Sequence, residues 1–150
     1  MAFFESEEHK MAWKSLKQRS LADDLMVDHA ALKELDDVSN LIDWKSIESM
    51  LSKIHSKRHG EKAWPPLMMF KALLLQSWYG LSDPGLEKQL ARDLLFRRFV
   101  ELSLSESVPD HSTFWRFRNL LEKNGLLQTL LDEINNQLAC QGLLIRSGEA

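Results

Sequence analysis

The sequence predicts an all-α fold, a compact multi-helix bundle around a buried central helix at about 65–79. Three observations predict it. After Pro65 and Pro66, residues 67–79 hold only Lys71, Gln76 and Ser77 as clearly polar positions, and a helix apolar on nearly every side must be buried on most of them. Six glycines and four prolines in 150 residues are few for a sheet of many turns, whereas Leu, Lys, Glu, Gln and Met are plentiful. Elsewhere in the chain, apolar residues recur three and four apart, the spacing of one helical face.

With 44% hydrophobic and 27% charged residues, the composition suits one globular domain with a real core. The central helix is too short to cross a bilayer, which takes about 20 apolar residues, so no membrane partner is expected. Cys140 is the single cysteine and can form no internal disulfide, and no leader pattern stands at the N-terminus; a cytoplasmic setting is expected.

Taken in order, residues 1–20 place Phe3, Phe4, Met11, Trp13 and Leu16 too irregularly for one strong face and read as an arm, disordered or weakly helical. Asp28 caps a short helix to Leu35, with Leu32 and Leu35 inward. Asp43 caps the next, from about Trp44 to His55, with Ile47, Leu51 and Ile54 on one face. Residues 55–64 read as a basic loop; His55 and His59 stand four apart, as a metal pair would, but Gly60 follows and no third ligand is near, so no metal is expected. Pro65 and Pro66 open the central helix and Gly80 closes it.

Asp83 is the expected cap and Pro84 the first residue of a helix with Leu86, Leu90 and Leu94 inward. A short helix over 94–102 should bury Phe96, Phe99 and Val100 and turn Arg97 and Arg98 outward. After a serine-rich loop, Asp110 to about Lys123 forms a helix of two faces: Phe114, Phe117 and Leu121 against Ser112, Arg116, Asn119 and Lys123. Trp115 and Arg118, at the margins, fit half-buried packing. Leu127, Leu130, Leu131, Ile134 and Leu138 define a last helix ending at Gly142, whose stripe can close the bundle or pair with a second copy; Cys140 is expected in the core. A short β-strand at about 143–145 is left unpaired where the sequence ends.

The polar face of the 110–123 helix carries the chemistry of a DNA reader. Hydroxyls of Ser112 and Thr113 and the helix N-terminus suit phosphate oxygens, Arg116 suits guanine, Asn119 suits adenine, and Lys123 suits the backbone. An ordinary solvated face has the same composition. Charge is divided along the chain: residues 44–123 carry 13 basic and 9 acidic groups although the whole chain is at −3, a modest excess that permits a nucleic-acid surface without demanding one.

From Leu21 onward the chain resembles the N-terminal region of bacterial insertion-sequence transposases of the InsH type, the insertion-sequence five group. The resemblance rests on the proline-led apolar helix ending W-Y-G-L-S-D (Trp78 to Asp83), R-R-F (Arg97 to Phe99), P-D-H-S-T (Pro109 to Thr113) with Phe117-Arg118 after it, and the closing helix before Gly142. It implies a helical domain over 21–142 that binds double-stranded DNA at the ends of a mobile element and helps subunits associate. A ribonuclease-H-like domain with an Asp-Asp-Glu site and Mg2+ would follow, of which residues 143–150 are only the start.

Under that resemblance the DNA-binding candidates are Ser112, Thr113, Arg116, Asn119 and Lys123, with Arg97, Arg98 and the 55–62 loop as backbone contacts. Catalytic, metal and cofactor residues number none, and no catalysis is expected of this chain alone. The rival reading is a helical dimerisation module, for example a truncated transposase that poisons full-length subunits. A stand-alone enzyme lacks any nucleophile–base set or phosphate loop in its favour.

Overall fold

A computed structural model describes residues 30–54 and 64–141. Among them are seven helices and no strand: α1 Ala30–Leu41, α2 Trp44–Leu51, α3 Pro66–Tyr79, α4 Asp83–Arg92, α5 Leu94–Val100, α6 His111–Lys123 and α7 Leu127–Cys140. The expected 1–20 arm, the Asp28 cap, the 55–63 stretch with His55 and His59, and the 143–145 strand all lie outside the described residues.

The all-α expectation and the central helix hold. Pro66 opens α3, and Gly80 ends it at φ 63°, where a glycine avoids the clash a β-carbon would bring; the Leu81 amide closes the turn on the Gln76 carbonyl at 2.9 Å. Every residue from Met68 to Leu75 is buried. The reason is that α3 separates two apolar clusters. Met68, Met69, Ala72 and Leu75 pack with Leu86 and Leu90 of α4, Phe96 and Phe99 of α5 and Phe114 of α6. Phe70, Leu73 and Leu74 pack with Ile47 and Leu51 of α2, Leu121 of α6 and Leu130, Ile134 and Leu138 of α7.

Several local expectations are corrected. The first helix continues past Leu35 to Leu41, because Val38 and Leu41 carry its stripe onto the second cluster. Ser82, not Asp83, caps α4, accepting from the Gly85 amide at 3.0 Å, which leaves the Asp83 carboxylate for another helix. Leu94 is 54% exposed instead of inward: the chain turns at Asp93, whose carboxylate accepts from the Leu95 and Phe96 amides at 2.9 and 3.2 Å and starts α5 on a new axis.

Arg97 is buried, 8% exposed, not turned outward. Its Nε donates to the Leu90 carbonyl at 3.0 Å and its Nη1 to the Ser103 carbonyl at 2.8 Å and that of Glu106 at 3.3 Å, so it ties the end of α4 to the loop after α5. Glu101 ends α5 in the left-handed region at φ 64°, uncommon for a residue other than glycine. Cys140 is exposed at the end of α7, not in the core, because the buried register there belongs to Leu138.

Candidate nucleic-acid interface

The candidate surface is the outer face of α6, and two contacts with α4 set which face that is. Arg118 grips Asp83 through two parallel bonds, Nη1 to Oδ1 and Nη2 to Oδ2, each 2.8 Å. Gln76 joins both, its Oε1 accepting from Arg118 at 3.0 Å and its Nε2 donating to Asp83 at 2.6 Å. These bonds hold the Asp83 carboxyl below its usual pKa, the Arg118 guanidinium contributing most. Toward the other end of α6, the His111 amide donates to Glu87 at 2.8 Å, with the imidazole Nδ1 3.1 Å from the same oxygen. Pinned at both places, and seated by buried Phe114 and Leu121, α6 keeps a fixed rotation about its axis.

The N-terminus of α6 is already occupied. One oxygen of Asp110 accepts from the Thr113 amide and the Thr113 hydroxyl, both at 2.8 Å, and from the Ser112 hydroxyl at 2.9 Å. The Thr113 hydroxyl bond, with the amide and Ser112 bonds behind it, lowers the Asp110 pKa to about 2. Ser112 and Thr113 therefore spend their hydroxyl protons on a carboxylate, which puts a negative charge at the N-terminus of α6.

The structure brings the remaining α6 candidates together. Arg116 and Lys123 are exposed and Asn119 is half-exposed on one side of the helix. Arg116 has a 3.4 Å contact from Nη2 to the Thr113 hydroxyl and its charge acts on the Asp110 carboxylate, while the side chains of Asn119 and Lys123 have no partner among the described residues. Arg98 stands apart on α5, exposed but paired with Asp36 of α1 at 2.6 and 3.2 Å. Arg97 is removed from the surface altogether by its burial.

Trp115 departs from the half-buried packing role, for it is 54% exposed among these polar residues. Counting 100° per residue puts it at the margin of the polar face, within about 40° of Asn119, and the side such a marginal residue takes is set by packing. The signal missed for Arg118 was Asp83, 35 positions away in sequence, since long-range ion pairs leave no local pattern. A cleft of about 410 Å³ floored by Lys71 lies elsewhere, edged by Glu48, Glu101 and Glu106, whose charge disfavours phosphate.

The motifs singled out above therefore occupy defined joints: W-Y-G-L-S-D is the α3–α4 turn, R-R-F lies on α5 with Arg97 and Phe99 buried and Arg98 exposed, and P-D-H-S-T is the cap of α6. Residues 19–120 match the model of a family described as Transposase domain (DUF772). The chain belongs to this transposase-domain family. The match to the transposase domain runs from before α1 into α6 and ends at Leu120, so α7 lies beyond it. No solved structure matches the chain. Among the described residues of the transposase domain, no helix is long and apolar enough to cross a membrane, and no three His, Cys, Asp or Glu side chains gather to hold a metal ion.

Proposed function

We propose that this transposase domain binds double-stranded DNA at the ends of a mobile element of the InsH type, the insertion-sequence five group, in the cytoplasm, and contributes to subunit assembly. The observation that carries the reading is the strip Arg116, Asn119 and Lys123 on the open side of a helix whose rotation is set by Arg118–Asp83, with the side chains of Asn119 and Lys123 unpartnered among the described residues and Arg116 held only by Thr113 and the Asp110 charge. A helix of this kind fits a major groove, where Arg pairs with guanine and Asn with adenine. Arg98 remains as a backbone contact once its Asp36 partner is exchanged for phosphate; Arg97, Ser112 and Thr113 support the helices that hold the surface. Strand transfer, on this reading, would be the work of a ribonuclease-H-like domain with Mg2+, which the resemblance implies and this domain does not supply.

The test is fluorescence anisotropy of the purified chain against duplexes from the DNA flanking its gene, beside scrambled duplexes, at low and near-physiological salt. Preference for the flanking ends, with affinity falling as salt rises, supports the reading, because phosphate contacts release counterions. Equal binding to every duplex reduces it to a generic basic surface, and no binding at low salt refutes it.

The interaction-module reading keeps one observation in its favour. Trp78, Tyr79 and Leu94 are exposed near the α3–α4 turn and the start of α5, a surface suited to a second subunit. The leucine stripe of α7 no longer serves it, since Leu130, Ile134 and Leu138 are buried against α2, α3 and α6.

A further inference from the structure

Trp115 is a large apolar side chain that the fold leaves uncovered in the middle of a polar face. It is 54% exposed and has no ring or hydrogen-bond partner among the described residues, although the same helix buries Phe114 completely. An isolated exposed tryptophan is ordinary in itself. Its neighbours make this one informative. Trp115 lies one helical turn before Asn119 and beside Arg116, and from Trp115 to Lys123 the face rises about 12 Å, close to the width of a major groove. Two turns further along the helix stands exposed Glu122, whose charge acts on Arg118. The N-terminal flank is closed by the Asp110 carboxylate with its three bonds. The indole thus shares an exposed helix side with the Arg116–Asn119–Lys123 strip and brings it an uncharged, largely apolar surface.

The major-groove edge of a base pair presents hydrogen-bonding atoms and, on thymine alone, an apolar 5-methyl group. Arg116 and Asn119 can use the first kind of contact. An indole offers one N–H donor at its edge and a broad apolar face, and it is the apolar face that gains by leaving water against a methyl group. Resting on the DNA-binding reading above, we propose that Trp115 is a specificity-determining residue that packs on the 5-methyl group of a thymine next to the base contacted by Asn119. The domain then selects a thymine at that position by its methyl group and not by a hydrogen bond. Stacking of the indole on an unpaired base is sequence-tolerant and indifferent to the methyl group, so it makes the opposite forecast.

The experiment takes the tightest-binding duplex from the DNA flanking the gene and replaces its thymines one at a time by deoxyuridine, which keeps base pairing and every hydrogen-bonding atom but removes the methyl. The wild-type chain should lose about fourfold in affinity at one or two positions, the weight of one methyl group taken from water. Trp115→Ala should bind the thymine duplex more weakly and bind the thymine and uracil duplexes alike. Its exposed position predicts an unchanged melting temperature, checked alongside by circular dichroism. Wild-type indifference to every uracil overturns the proposal while leaving DNA binding intact, and so does undiminished discrimination by folded Trp115→Ala. If the wild-type chain binds no duplex even at low salt, the DNA-binding reading fails and this inference falls with it.

Discussion

Arg118 of α6 and Asp83 of α4 meet through two 2.8 Å hydrogen bonds in a half-buried setting, with Gln76 of α3 bonded to both. Three helices are thereby joined at one polar point between apolar clusters. Deleting either charge leaves the other without its partner, so Arg118→Ala and Asp83→Ala should each cost about 1–3 kcal/mol in urea unfolding. The double variant should cost much less than the sum of the two. Additive losses would show that the pair contributes nothing of its own.

Acid should loosen the same joint. Asp83 and Asp110 both have folded-state pKa values below the ordinary 3.8, that of Asp110 at about 2. The native state therefore binds fewer protons than the unfolded chain in that range, and stability present above the ordinary value is lost as pH falls from about 4 toward 2. A melting curve measured across this window should steepen downward, and Asp83→Asn should flatten part of the fall. A pH-independent melting temperature from 5 to about 2 would contradict the assignment.

Adjacent arginines on α5 should behave differently. Arg97 satisfies three backbone carbonyls from a buried position, so Arg97→Ala should destabilise by about 2–4 kcal/mol, whereas the exposed Arg98 with Asp36 should be worth about 0–1 kcal/mol. Chemical denaturation of both variants checks this. A larger loss from Arg98→Ala than from Arg97→Ala would reverse the roles of the two arginines.

On the DNA-binding reading, Arg116→Ala should weaken binding to the preferred duplex by about 1–3 kcal/mol and relax base preference, while Lys123→Ala should weaken all duplexes alike and lower the salt slope by about one. Anisotropy titrations over several salt concentrations separate the two. An unchanged affinity for Arg116→Ala would remove that residue from the interface.

Lys71 should prove dispensable for folding. It is 4% exposed in the middle of α3, its ammonium 4.4 Å from the centre of the Trp44 ring and 3.8 Å from a Glu101 oxygen. Burial pushes its pKa down, and Glu101 only partly offsets that. A methionine of similar length has no charge to desolvate, so Lys71→Met should be neutral or stabilising in thermal melts. A loss above about 2 kcal/mol would show that the contact with the Trp44 face outweighs the cost of burying the charge.

The helices and their caps were legible because their causes are local. Gly80, Asp43 and Asp110 act on the residues next to them, and the apolar run of α3 and the stripe of α7 repeat within a few turns. Errors gathered where two nearby residues competed for one role, as Ser82 and Asp83 did for the cap of α4, or where a helix ended without a glycine or proline after it, as α4 does at Asp93. The candidate surface was half legible. The 3.6-residue period groups Arg116, Asn119 and Lys123, but it does not reveal that Ser112 and Thr113 are bound to Asp110 or that Trp115 stays uncovered.

By itself the sequence determined that this protein is helical, that residues 66–79 form its buried axis, and that α6 has one apolar and one polar side. Helix formation and amphipathic periodicity depend on neighbours within one or two turns, so the order of residues is enough. Only the tertiary structure decided the fate of individual polar groups: Arg97 drawn inside, Asp83 taken by Arg118, Lys71 laid over Trp44, and Trp115 left in the open. A charged side chain is long enough to point either way, and its direction depends on partners brought close by packing from distant parts of the chain.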